Sequence, residues 1–179
     1  MERRDVNSPP QPRRVILEER TFFVTASIWG KRSLLQSDRA AQPFVATLFE
    51  YQGQRKYRLH EFVVMPDHFH VLITVGAGMT IESAVQFIKG EFAFWAGREL
   101  GFQAPVWQKG FSEIRVLDRD AFQAQAQYIW QNPVRAHLVG QAEAYAYSSA
   151  GMRERLDPAP QRLKPRGQEI ASGTPEGVP

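Results

Sequence analysis

Apolar and polar positions change period along the chain, and that change predicts its elements. Thr21-Phe22-Phe23-Val24-Thr25-Ala26-Ser27-Ile28 is rich in β-branched and aromatic residues and predicts a strand. Trp29-Gly30-Lys31-Arg32 turns away from it. Asp38 is a cap candidate for a helix over about 39–52, with Phe44, Leu48 and Phe49 on its apolar side. Tyr57 to Met65 predicts a second strand, Pro66-Asp67 a tight turn, and His68 to Val75 a third strand, so the pair reads as a hairpin. Ile81, Val85, Ile88, Phe92 and Trp95 recur at helical spacing in a long helix that starts at Thr80 and ends near Leu100 before Gly101. Phe111 to Leu117 is a fourth short strand. Asp118 then caps a helix through about Trp130; Pro133, whose missing N–H falls near the final turn, either leaves the helix frame intact or kinks or stops it, with a further turn over 134–139.

The order is β-α-β-β-α-β with one added helix. This predicts an α+β, ferredoxin-like antiparallel sheet with two helices on one face and an extra C-terminal helix that carries candidate chemistry. Residues 1–18 read as a flexible basic arm, 19–150 as the catalytic domain, and 151–179, dominated by Pro, Gly and charge, as a disordered tail.

Composition narrows the chemistry. No cysteine occurs among the 179 residues, so disulfides and thiolate metal sites are excluded. The formal charge of +3 permits an acidic partner without identifying one. The first residues lack a secretory h-region and no apolar run approaches membrane-spanning length, so a cytoplasmic, membrane-free protein is expected, on the nucleoid when bound to DNA. Walker and dinucleotide glycine motifs are lacking.

Two local patterns carry candidate chemistry. His68 and His70 lie at i and i+2, so strand alternation points both imidazoles the same way. Neutral imidazoles ligate first-row metals and tolerate Mg²⁺ or Mn²⁺ when oxygen ligands complete the shell. His-x-His alone describes an ordinary hydrogen-bonded pair equally well. Tyr128 and Asn132, four apart, share a helix face. By itself such a tyrosine is a packing residue and such an asparagine a helix-end cap. Joined to the histidines, they suggest a phenolate that attacks a DNA phosphorus beside a metal, with the Asn132 carbonyl oxygen as third protein ligand. Asp67, Glu61 and Gln131 are candidate outer partners of that site; Asp67 as a turn cap is the plain alternative. A DNA track could draw on Arg13, Arg14, Lys89, Lys109, Arg115, Arg119 and Arg135, with Trp107 and Trp130 stacking on unpaired bases. Each also reads as a solvated charge or a packed ring.

Three segments together resemble the single-tyrosine HUH transposases of the IS200-like superfamily, REP-associated members above all. They are His60-Glu61-Phe62-Val63-Val64-Met65-Pro66-Asp67-His68-Phe69-His70-Val71-Leu72, Val106-Trp107-Gln108-Lys109-Gly110-Phe111, and Tyr128-Ile129-Trp130-Gln131-Asn132-Pro133-Val134-Arg135-Ala136. Ser148-Ser149 after Tyr147 also fits, and the resemblance spans about 18–150. It implies His68 and His70 as metal ligands, Tyr128 as nucleophile, Asn132 completing the site, and Mg²⁺ or Mn²⁺ as cofactor. It also implies single-stranded or hairpin DNA as substrate, cut and rejoined through a 5′-phosphotyrosine, by a monomer or a homodimer. His137 stands where many relatives have glycine, a departure that bears on the local turn and removes no catalytic group. A DNA-hairpin-binding protein without cleavage and a small metal-dependent hydrolase are the rival readings.

Overall fold

The computed structural model describes residues 18–164; Arg13 and Arg14 of the expected arm lie outside that range. Four strands, β1 (Arg20–Ser27), β2 (Arg58–Met65), β3 (His68–Val75) and β4 (Ser112–Val116), form one sheet in the order β2-β3-β1-β4. Every neighbouring pair is antiparallel. Helices α1 (Asp38–Gly53) and α2 (Ile81–Leu100) connect β1 to β2 and β3 to β4, and α3 (Arg119–Arg135) follows β4. This is the expected ferredoxin-like core with an added helix.

Strand alternation divides the sheet's side chains between two cores. Phe22, Val24 and Ala26 of β1 and Phe69, Val71 and Ile73 of β3 join Phe44, Leu48, Ile88 and Phe92 in the larger core under α1 and α2. Phe23 and Leu72 turn the other way, toward Ala126 and Ile129 of α3. In β2 the register slips at His60: Leu59 pairs with Ile73 and Glu61 with Leu72. A bulge of this kind reverses which face the following residues occupy. Leu59 and Phe62 therefore both enter the larger core, while Val63 and Met65 join the α3 core.

Local chemistry sets the helix ends. Thr80 Oγ1 accepts from Ser83 N–H at 3.1 Å, and Gly101 closes α2 at φ +70°. Asp118 Oδ1 accepts from Ala121 N–H at 2.8 Å and starts α3. Ser37, not the expected Asp38, is the residue before α1; Asp38 lies inside the first turn, where its charge suits the helix dipole.

Two expectations need correction. Pro133 does not stop α3 near Trp130, because the helix runs to Arg135. The N–H that proline lacks would serve only the final turn, and the carbonyls there are taken by Ala136 N–H onto Asn132 and Leu138 N–H onto Pro133. His137 then turns the chain at φ +56°, a conformation glycine adopts freely. Nor does the ordered chain end at 150. Asp157 exchanges bonds with Leu59, its carboxylate accepting from Leu59 N–H at 2.9 Å and its own N–H donating back at 2.8 Å. Lys164 N–H reaches Leu117 O at 3.2 Å. Residues 165–179 of the expected tail lie outside the described range.

The segment after α3 runs along β2. Val64 N–H donates to Tyr147 O at 2.8 Å, Phe62 N–H to Ser149 Oγ at 3.0 Å, and Ser148 bridges to Val63. Tyr145 and Tyr147, expected as anchors, bond Val64 O and the Asp38 carboxylate. Among the described residues, no helix is long and apolar enough to cross a membrane.

Candidate active site

The site begins with register. His70 of β3 stands opposite Thr25 of β1, and His68 opposite Ser27. Both imidazoles project from the α3 face, with ring centroids 4.8 Å apart. Phe23, two residues before Thr25, stacks on His70 at 5.2 Å with the ring planes 20° apart.

Each histidine is held through Nδ1. His68 Nδ1 lies 2.6 Å from Asp67 Oδ1. An ionised carboxylate only accepts, so this contact puts a proton on His68 Nδ1, and in the neutral ring Nε2 then carries a lone pair. His70 Nδ1 lies 2.7 Å from Thr25 Oγ1. With that hydroxyl accepting, His70 Nε2 also carries a lone pair, and this buried atom has no hydrogen-bond partner. Burial, with His68 and Lys31 nearby, pushes the His70 pKa down to about 3, so the ring is neutral at ordinary pH. Burial alone would raise the Asp67 carboxyl; the hydrogen bond and charge of His68, with Lys31, hold it below its usual range.

α3 brings Tyr128 to this pair. Its ring meets His70 edge-on at 5.3 Å and Phe23 edge-on at 5.7 Å, and the residue is 40% exposed. The Arg135 guanidinium lies 5.9 Å from the centre of the Tyr128 ring. Asn132 follows one turn later, half-buried on the same helical face. Among the described residues, no three His, Cys, Asp or Glu side chains gather into a metal cluster. Two imidazoles and an amide oxygen make a different donor set. The orphaned His70 Nε2, with both Nδ1 atoms anchored by oxygen, fits a cation bound at the Nε2 side.

The remaining candidates take other places. Glu61 is not a partner of the histidines, whose Nδ1 atoms belong to Asp67 and Thr25. Its carboxylate accepts from Ser149 Oγ at 2.5 Å and Trp130 Nε1 at 2.7 Å. Burial raises its pKa against those hydrogen bonds and the Arg153 charge. Gln131 turns toward a groove of about 450 Å³ that it lines with Glu61, Phe122, Trp130 and Arg153. Trp130 is covered by the Arg153 guanidinium at 4.2 Å, so a base would have to displace that cation to stack there. Trp107 is a core residue, packed against Phe44, Phe69 and Phe92 with Nε1 on Lys89 O, and presents no free face to a base. Lys89 is spent on Gln108 O at 3.0 Å and Gly110 O at 2.7 Å. Arg115 lies over Phe22 at 5.2 Å, toward the other face of the sheet. Lys109 and Arg119 are exposed; Arg119 opens α3, more than two turns before Tyr128.

Sequence reasoning passed over Phe23, Thr25 and Lys31. Thr25 and Phe23 were findable, since they sit at the same parity on β1 as the face the histidines use. Lys31 was not, because its approach to Asp67 depends on a turn with positive φ.

Comparisons with known proteins bear on the family and the fold. The family described as "Transposase IS200 like" matches residues 24–132, from β1 through the Tyr128–Asn132 turn of α3. A REP-associated tyrosine transposase of Escherichia coli (strain K12) is 25% identical over 138 residues, covering 76% of this chain and 80% of that protein. A solved structure of a REP-associated tyrosine transposase bound to a REP hairpin superposes with a TM-score of 0.66 at 23% identity, over 80% of this chain and 84% of that one. A crystal structure of a putative transposase from Deinococcus radiodurans R1 gives a TM-score of 0.50 at 20% identity, over 68% of this chain and 96% of that one. At those identities the two structures speak to fold alone, but the family match extends over more than half of the sequence and takes in both histidines and the tyrosine: the chain belongs to the IS200-like transposase family.

Proposed function

We propose that this chain cuts and rejoins single-stranded DNA through Tyr128, at hairpins of the kind its REP-associated relative binds. The observation that carries the reading is the edge-on contact of Tyr128 with His70 at 5.3 Å within one chain. In cleavage the Tyr128 hydroxyl loses its proton, its oxygen attacks phosphorus, and the P–O3′ bond breaks. The leaving O3′ takes up a proton, and the 5′-phosphate stays on the tyrosine. Because a phosphodiester replaces a phosphodiester, attack by a 3′-hydroxyl reverses the step and joins strands without a nucleotide triphosphate. His68 and His70 through Nε2, with the Asn132 carbonyl oxygen, would hold a divalent cation, Mg²⁺ or Mn²⁺, which would supply Lewis-acid polarisation of the phosphate.

The chain's own groups do the positioning. Thr25 and Asp67 fix the two imidazole rings. Phe23 backs both His70 and Tyr128 and keeps that side dry. Arg135 beside the phenol favours negative charge on the oxygen and on the arriving phosphate. One chain brings both halves together, which supports action as a monomer.

The test uses a hairpin oligonucleotide labelled separately at its 5′ and 3′ ends. Covalent retention of the 5′-phosphate side, abolished in Tyr128→Phe and by chelator while hairpin binding persists, is the expected result. Binding without an adduct would leave a DNA-binding module. Cleavage undiminished in Tyr128→Phe would leave a hydrolase. Mixing Tyr128→Phe with His70→Ala should restore no adduct if the tyrosine serves its own chain's histidines.

A further inference from the structure

We propose that the short turn Trp29–Lys31 is a nucleotide subsite beside the histidine pair, in which Trp29 stacks on an unpaired base and Lys31 binds the adjoining phosphate of single-stranded DNA. It rests on the DNA-cleaving reading above and adds a second contact region, on a different element from Arg135.

The turn belongs to the site by construction. β1 ends at Ser27, the partner of His68, and the next residue donates from Ile28 N–H to Asp67 O at 2.8 Å. Leu35 N–H, past the turn, bonds Pro66 O at 2.9 Å. Trp29 N–H bonds Val106 O at 2.9 Å, while Arg32 ties Trp29 O at 3.0 Å and Pro105 O at 2.6 Å. Ile28 and Leu35 are buried on either side. The turn is thus fixed to the same loop that carries Asp67 and leads into His68.

What this frame presents to solvent is unusual. Trp29 is 50% exposed, although an indole is normally among the more buried side chains. Gly30 and Lys31 both take positive φ, +65° and +55°. The second value is disfavoured for a residue with a Cβ and marks a conformation imposed by its surroundings. Its result is that Lys31 Nζ lies 3.2 Å from Ser27 Oγ and 3.7 Å from Asp67 Oδ2, beside the carboxylate that holds His68. The ion pair is loose, and the Lys31 side chain is 60% exposed, so its ammonium is available to a third group. A half-exposed aromatic next to an exposed cation is the pairing that single-stranded nucleic acid uses, base on ring and phosphate on charge. The occupant is the strand itself, because the turn adjoins the point where its phosphate must meet Tyr128 and the histidines. Arg135 on α3 stands beside the Tyr128 ring, and Lys31 stands beside Asp67.

The experiment titrates the full chain with an oligothymidine strand of roughly 16 nucleotides at several salt concentrations. Intrinsic tryptophan fluorescence should fall on binding, and that fall should be lost in Trp29→Phe, whose ring still stacks but does not report. Trp29→Ala should bind at least about fivefold more weakly. Lys31→Met should reduce the slope of log K against log salt by about 0.7, the share of one single-strand phosphate contact, and Lys31→Arg should restore it. Melting temperatures close to the parent's would show that these exposed positions leave the fold intact. Quenching that survives Trp29→Phe, an unchanged salt slope in Lys31→Met, or no binding even at low salt overturns the proposal. The hairpin adduct assay keeps the two readings apart. A parent protein that forms the adduct without a Trp29 signal defeats only the subsite; one that binds and quenches but forms no adduct defeats only the chemistry.

Discussion

On the α1/α2 face of the sheet, Phe44 meets Phe69 at 5.0 Å, Phe92 at 5.1 Å and Trp107 at 5.6 Å, all within a closed apolar cluster. On the α3 face, Phe23 meets His70 and Tyr128 at similar separations, but the third ring is 40% exposed and the second carries an unpartnered nitrogen. The same ring-on-ring geometry thus does two jobs. Enclosed, it sets stability. At the rim of a thin cluster, it sets the orientation of groups that must meet solvent and substrate. A site of this kind needs a rigid sheet behind it and an incomplete cover in front, and β3 supplies both by sending Phe69 to one side and His68 and His70 to the other.

Substitutions on the two faces should therefore differ in kind as well as size. Phe44→Ala opens a cavity in the closed cluster and should cost about 3–5 kcal/mol in urea unfolding. A loss near that of a surface change would mean the two faces pack alike. Phe23→Ala should cost less, roughly 2–3 kcal/mol, because its surroundings can relax toward solvent. The covalent DNA adduct should nevertheless nearly vanish in Phe23→Ala while the variant remains folded.

Glu61 gives a smaller, pH-dependent effect. Its carboxyl is raised above the ordinary value by burial, with Ser149, Trp130 and Arg153 offsetting this only in part. The folded state then accommodates the ionised form less well than the unfolded chain does. The stability this group contributes is full below the unfolded carboxylate range and is lost as pH rises through the folded value. Glu61→Gln does not titrate, so its stability relative to the parent should improve as pH rises above the ordinary carboxylate range, read as urea midpoints at stepped pH. A constant difference would mean that the carboxylate is fully compensated. Smallest are the caps. Asp118→Ala and Thr80→Ala should each cost about 1 kcal/mol, yet only the Asp118 change, on the helix that carries Tyr128, should also slow adduct formation.

Much of this was legible because long periodic segments speak clearly. β3 spans His68–Val75 as alternation and the Pro66-Asp67 turn predicted, and α2 ends at Leu100 before Gly101 as expected. Less legible features depended on tertiary context. Pro133 looks like a stop signal, but a proline near a helix end forfeits little. Residues 151–164 have the composition of a tail, yet Asp157 serves the backbone of Leu59, a partner nothing nearby in sequence announces. Parity alone cannot assign Glu61, since the slip at His60 changes the face it occupies and Trp130 claims its carboxylate from the other end of the fold. The meeting of Tyr128 with His70 is likewise a matter of packing: spacing put each on the right face of its own element, and only the docking of α3 joined them.

The stretch matched to the family stops at Asn132, but the outer rim of β2 is completed by residues beyond it, with Val64 bound to Tyr147 and Phe62 to Ser149. A fragment cut at that boundary would keep Tyr128, Asn132 and both histidines, lose Arg135, and behave badly for a further reason. It would expose a row of unpaired amides on an apolar ribbon, an invitation to strand addition by a second molecule and to aggregation.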